Sequence, residues 1–469
     1  MTPAEPKHIL IITDDVLTER MAGPAIRAWE IAGSLSEDHE VVLATTSPVC
    51  ESHSARFKTE AADPARFVEL EAWCDVVLVQ GYVLERVPAV RETNKVMIVD
   101  LYDPIFLEDL ELNRSLPEPD RIRQITDAVR VFEVQAARGD FFLCASEKQR
   151  DLWMGFLAAS GRVNPANYER DPSLRNLLDV VTFGLPDDPP HHAAPALRGV
   201  VDGIGRDDEI VLWGGGVYDW LDPVTAIRAI DRVRRSRPGV RLFFLGVKHP
   251  SPFAQESRAL VAARTTAAEL GLTGTHVFFN EGWIPYAGRA DYLLEADIGL
   301  SLHPDHVETA YSFRTRILDC IWAGLPIVAT GGDSFAELID REGLGTIVPA
   351  EDVEAVADAV VELLADTHRR EECRRRAAIV APRFAWSAVL EPLIRFCAAP
   401  SRAPDSQADP APPSAPTDRT GGDQNARHVG SPGGVRRLAD LGHQAWVTYR
   451  AEGVRAVASR SLRAVRRRI

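Results

Sequence analysis

Lysine is almost missing from this chain. Lys7, Lys58, Lys95, Lys148 and Lys248 are the five among 469 residues, so arginine carries the positive charge. Such arginine- and alanine-rich usage reads as codon bias, and arginine enrichment alone assigns no function. Positive charge is also short overall: a net charge of −15 argues against general nucleic-acid binding. No run approaches the ~18 apolar residues of a membrane-spanning helix. The start, "MTPAEPKHILIITDD", has no basic segment followed by a long apolar run, so secretion is not expected. The six cysteines are scattered and form no Cys-x-x-Cys, which speaks against a disulfide framework or a zinc site and for a reducing cytoplasm. No Asp-x-Asp metal motif and no Ser/His/Asp arrangement can be read. The pair in "HPDH", His303 and His306, has no third ligand nearby in sequence, so no metal is expected.

What is present is a soluble-enzyme composition, 45% hydrophobic, long enough for two or three domains. "HILIIT" reads as a buried parallel strand, "GPAIRAWEIAGSLSE" as a helix with Pro24 in its first turn, and "HEVVLATT" as the next strand. Strand, loop, helix, strand is the mononucleotide-binding half unit. "DVVLVQG", "VMIVDLYDP" and "DFFLCASE" repeat the strand signal, so residues 1–184 read as one doubly wound α/β domain. A Pro-rich stretch marks the boundary. A second alternation follows over 185–382, with strands in "EIVLWGGG", "VRLFFLGVKHP", "HVFFN", "DIGLSLH", "LPIVAT" and "LGTIVPA". Asp222 is expected to cap the helix that begins at Pro223. Residues 383–398 read as a further helix, 399–435 as a disordered Pro-rich linker, and 436–469 as a basic amphipathic tail. Two similar α/β domains suggest two lobes around a cleft.

The most informative stretch is "FRTRILDCIWAG". On a helical wheel Phe313, Ile317, Leu318, Cys320, Ile321 and Trp322 share an apolar arc, and Thr315, Arg316, Asp319 and Ala323 the polar one. The helix follows a strand and loop, so its N-terminus sits at the carboxyl edge of a parallel sheet. Free N–H groups there favour a phosphate, an adjacent Arg adds charge-assisted bonds, and a carboxylate farther in can take both hydroxyls of a ribose. A surface helix with an Arg316–Asp319 pair is the open alternative.

The segment "YSFRTRILDCIWAGLPIVAT" resembles the Glu-x7-Glu region of retaining nucleotide-sugar glycosyltransferases with the GT-B fold. "DCIWAGLPIV" carries the second half, with Asp319 at the second acidic position. The first falls on Tyr311, and Glu308 three residues earlier is the other candidate. Arg314 stands where that family has Gly. The resemblance runs over residues 7–397, through "GPAIRAWEIAGSL", "CASEKQRDLW", "VVTFGLP" and "EGWIPYAGRADYLLEADIGLSLH", and is closest to a subgroup with "WGGGVYDWLDP" and "FRTR".

The resemblance implies transfer of a sugar from a nucleoside-diphosphate donor to a glycan or glycolipid acceptor, with retention, in cell-surface polysaccharide or glycolipid synthesis. It implies no resident cofactor, the nucleotide sugar being a co-substrate. A nucleotide-sugar epimerase of the same fold, or a non-catalytic binding subunit, is the alternative. The implied donor site comprises Gly214, Gly215, Gly216, Lys248, Trp283, Ile284, Tyr311, Ser312, Phe313, Arg314, Arg316 and Asp319. Glu308, Arg316 and Lys248 are the candidate catalytic residues. The glycines also read as a plain tight turn, Lys248 as a solvated loop residue and Trp283 as core. Gly23 and Arg27, in the loop after the first strand with Asp14, lie on the acceptor side. The tail sets Val454, Val457, Ala458, Leu462, Val465 and Ile469 at helical spacing among arginines, as in a helix lying on an anionic membrane. Docking on the acidic body of the same chain is the other reading. The location expected is cytoplasmic, peripheral on the inner face of the cell membrane.

Overall fold

Each apolar run read as a buried strand forms one, and two parallel sheets result. The computed structural model describes residues 5–251 and 254–406. The first sheet comprises β1 (His8–Thr13), β2 (Glu40–Thr45), β3 (Lys58–Ala61), β4 (Val76–Gln80), β5 (Val96–Asp100), β6 (Phe141–Cys144) and β7 (Leu178–Val180), in the order 3-2-1-4-5-6-7. The second comprises β8 (Glu209–Trp213), β9 (Val240–Phe244), β10 (Val277–Phe279), β11 (Ile298–Ser301), β12 (Ile327–Thr330) and β13 (Gly345–Val348), in the order 10-9-8-11-12-13. Helices cover both faces, so the central strands are buried throughout, as unbroken apolar runs require. This is the two-domain, doubly wound GT-B architecture. Two strands escaped the sequence reading. β3, "KTEA", is a polar edge strand, and β7 is three residues long.

Local rules explain the helix starts. Asp222 accepts a bond from the Thr225 N–H at 3.0 Å, with Pro223 just behind it. The helix expected from Phe313 begins instead at Thr315 and ends at Trp322, because Ser312 is extended and Arg314 is the capping residue. The loop expected before it contains a short helix, Val307–Tyr311, capped by the His306 side chain.

The chain returns to the first domain at its far end. The single helix expected over 383–398 is two, Trp386–Val389 and Glu391–Ala398, because Pro392 cannot donate the N–H that would continue the first. Trp386 packs so closely on Gly184 that a Cβ there would collide with the indole, and Phe396 stacks on Phe141 at 4.4 Å. The linker expected from residue 399 is ordered at its start. Arg162 holds Asp405 at 2.8 and 3.0 Å, and the Ala403 N–H reaches Asp140 at 2.9 Å. The rest of the expected linker and the basic tail at 436–469 lie outside the described residues.

Candidate functional site

In doubly wound sheets ligands collect where strand order reverses, beyond the carboxyl ends of the strands. Here the reversals fall between β1 and β4 and between β8 and β11. The loops after β1 and β8 face each other across a cavity of about 420 Å³, lined by both domains. The lobes touch around it. The Trp283 indole N–H donates to the Met21 carbonyl at 3.0 Å, the Tyr286 N–H to Glu19 at 3.0 Å, and the Gln149 amide to Tyr311 at 2.9 Å.

Gly214, Gly215 and Gly216 follow β8 on the cavity wall. Gly215 has φ +76°, a conformation that other residues enter only with strain. The Gly216 carbonyl accepts from Arg316 at 2.8 Å and from the Trp213 indole at 3.2 Å, and the Arg316 guanidinium lies 5.0 Å from the Trp213 ring centre. The other terminal nitrogen of Arg316 is buried without a partner among the described residues. Burial first, and then the charge of Arg314, pulls the Arg316 guanidinium down to about 10, so it remains a cation at neutral pH. The helix N-terminus beside it carries no side-chain cap. Arg316, an uncapped helix N-terminus and a glycine turn lie together on this cavity's wall, an arrangement chemically suited to an oxyanion.

Arg316 and Asp319 do not pair as the open alternative had it. Asp319 accepts from Arg289 at 2.9 Å, and Arg289 is clamped between Tyr286 and Trp322, 3.8 and 4.6 Å from their ring centres. Asp319 lines the cavity with 31% of its side chain exposed, so it keeps acceptor capacity toward a ligand. The sequence reading missed Arg289. It lies in the quoted segment, but no spacing ties it to a carboxylate thirty residues on.

Glu308 and Arg314 meet as a buried bidentate pair, at 2.8 and 2.6 Å, on the cavity wall. Both Glu308 oxygens are thus engaged, so it is not a free acid–base group. Ser312, Phe313, Trp283, Ile284 and Gly23 also line the cavity. Trp283 lies against Gly246, where a Cβ would come within 3.1 Å of the ring. Three expected site residues are elsewhere. Tyr311 is outside the lining and contributes its carbonyl to Gln149. Lys248 is exposed and also outside, because the chain after β9 turns Gly246 and His249 inward instead. Arg27 is fully buried and committed to Asp100, so it cannot meet an acceptor phosphate.

Among the described residues no cluster of three His, Cys, Asp or Glu is placed to hold a metal ion. His303 is buried 3.7 Å from Asp333, and His306 is the cap of a helix.

On the first-domain side, Asp15 follows β1 and faces the cavity. Burial, and then Asp14, pushes its carboxyl up to about 6, against the Ala25 N–H and Arg86, which lower it. A carboxyl raised in the folded state costs stability when ionised. The cost is complete above about 6 and fades as pH falls toward the ordinary 3.8. Asp15→Asn is therefore expected to stabilise the fold by about 1–2 kcal/mol at pH 8 and by much less at pH 4.5. Thermal melts at the two pH values check this, and an equal gain at both would reject burial of the charge as its cause.

The architecture and the paired switch-point loops define a GT-B protein. Residues 209–366 match the family model described as "Glycosyl transferases group 1". A phosphatidyl-myo-inositol mannosyltransferase of Mycobacterium leprae is 31% identical over 24% of this chain and 29% of its own length. A D-inositol 3-phosphate glycosyltransferase of Saccharomonospora viridis is 27% identical over 41% of this chain and 43% of its own. The chain thus matches less than half the length of either relative. Among solved structures, Anabaena Alr3699/HepE in complex with UDP and glucose superposes with a TM-score of 0.60 at 13% identity, over 83% of this chain and 99% of that one.

Proposed function

We propose that the chain transfers a sugar from a nucleoside-diphosphate sugar to a hydroxyl of a glycan or glycolipid, with retention at the anomeric carbon. The observation that carries this reading is Arg316 in the cavity wall, one of its nitrogens without a partner among the described residues, beside the glycine turn and an uncapped helix N-terminus. These groups would bind the diphosphate and hold the charge that develops as the C1–oxygen bond breaks. Glu308 is held by Arg314 through both of its oxygens, so it is not offered as a nucleophile. In the reading we favour, the acceptor hydroxyl attacks from the face the diphosphate leaves. Its proton passes to the departing phosphate oxygen, and the contacts between the lobes keep water out. No resident metal is needed in this scheme. The basic tail at 436–469 would hold the enzyme at the inner membrane face, near a lipid-linked acceptor.

Asp319, kept in place by Arg289, would receive the ribose hydroxyls. UDP, GDP and dTDP should be titrated calorimetrically in EDTA, starting with UDP because the Anabaena protein was captured with it. Asp319→Ala is expected to weaken the nucleotide that binds by about 1.5–3 kcal/mol. Unchanged affinity in a folded variant would remove the ribose role. A requirement for added Mg²⁺ or Mn²⁺ in transfer would remove the metal-free scheme.

A further inference from the structure

The donor cleft continues into a second pocket of about 730 Å³, over the carboxyl ends of β1, β4 and β5 at the first sheet's reversal. The two share eight lining residues, among them Asp15, Tyr102, Asp103, Glu108, Tyr218 and Trp220. Carboxylates outnumber cations in its lining: Asp14, Asp15, Asp100, Asp103, Glu108, Asp219 and Glu256 stand against Arg86 and Arg258, each of which is itself paired with one of them. Arg86 lies 3.6 Å from Asp14, and Arg258 lies 3.1 Å from Asp219. His249, also on the wall, is pulled down to about 4 by burial and is neutral.

Hydrogen-bond polarity agrees with the charge. Gln80, 3% exposed, lines the pocket. Its amide nitrogen donates to the Thr13 hydroxyl at 2.6 Å and to the Pro24 carbonyl at 3.0 Å. A carbonyl can only accept, so the amide orientation is fixed and the Gln80 oxygen is the free end. Among the described residues that oxygen is buried with no partner, and so is one oxygen of Asp15. Both await a donor. A hydroxyl or an ammonium supplies one, whereas a phosphate dianion brings acceptors and charge of the wrong sign. Tyr218 and Trp220, stacked at 4.9 Å and 12°, add a flat apolar surface suited to the C–H face of a sugar ring.

We infer that this pocket selects a neutral or amino-bearing sugar as the accepting unit and rejects one that carries a phosphate or carboxylate. The inference rests on the proposed donor site in the adjoining cleft and names the acceptor chemistry that goes with it. Any phosphate of a lipid-linked acceptor must then lie beyond the unit in this pocket.

The test is saturation-transfer NMR on the full chain with UDP present. The panel contains methyl glycosides of glucose, galactose, mannose and glucosamine, with myo-inositol, and the 6-phosphates and uronates of the same sugars. At least one neutral or amino member is expected to bind at least about tenfold more tightly than its phosphorylated or carboxylated counterpart. Asp15→Asn and Glu108→Gln, both near-isosteric, are each expected to cut that preference to about threefold or less. Preferred binding of phosphates or uronates, binding of no member, or a preference untouched by both variants would overturn the inference. UDP resonances in the same spectra report the donor site separately. Lost UDP binding with intact sugar selectivity would count against the proposed function and not against the acceptor pocket. Retained UDP signals in each variant show that it is folded.

Discussion

Arg27→Met is expected to lower folding stability by about 3–5 kcal/mol, measured as a fall in the urea midpoint at unchanged slope. The guanidinium is fully buried. It gives Asp100 two bonds, at 2.6 and 3.0 Å, and gives the carbonyls of Val181 and Thr182 one each, both at 2.9 Å. Methionine fills much of the same volume, so packing is largely kept. What is lost is the charge that makes a buried Asp100 tolerable, together with the partners of two carbonyls. Asp100→Asn in the same chain should recover a good part of the loss, because it removes the orphaned charge. A loss below about 1 kcal/mol in the single variant would mean that water or a neighbour replaces the arginine, contrary to a fully dry site. This pair ties the carboxyl end of β5 to the helix Gly23–Leu35 and to the strand exit after β7. It therefore fixes the loop that carries Asp15 and Gly23 into the cleft.

Arg27 also shows where sequence reading stops. The sequence reading put it in the loop after β1, whereas it lies one turn into the helix Gly23–Leu35. Its partner lies 73 residues away and is chosen by the sheet order, which no local pattern reveals. The same holds for Arg289 and Asp319. The buried strands were legible because strands covered on both faces are unbroken apolar runs. β3 was not, because an edge strand carries polar residues and looks like a loop. Lys248 was misplaced because strand ends can be located to a residue or two, whereas the side on which each following residue emerges cannot. Glu308 and Arg314 were each picked out singly. That they neutralise one another required knowing that the short helix Val307–Tyr311 folds back toward the capping residue of the next.

The largest effect on activity is expected from Arg316→Ala, with kcat for sugar transfer falling about 10²–10³-fold. The argument turns on when the contact is made. One terminal nitrogen of Arg316 is spent on the Gly216 carbonyl, and the other has no partner among the described residues. A diphosphate already bears charge in the ground state, so binding should weaken as well, by about 1.5–3 kcal/mol. Further charge arrives on the leaving oxygen as the bond to the sugar breaks, and a cation fixed at that spot stabilises the transition state more than the bound donor. The variant should therefore lose more in kcat than in nucleotide affinity. The fold should not suffer in proportion. Burial already pulls this guanidinium down to about 10, which means that holding it charged in the empty cleft costs stability, and alanine removes that cost. Arg316→Lys should recover only part of the rate, since one ammonium cannot hold Gly216 and the phosphate with the same fork. Steady-state transfer, nucleotide titration and melting on the same preparations separate these effects. A kcat within about threefold of the parent, in a folded variant, would take Arg316 out of the chemistry and leave the helix N-terminus to act without it.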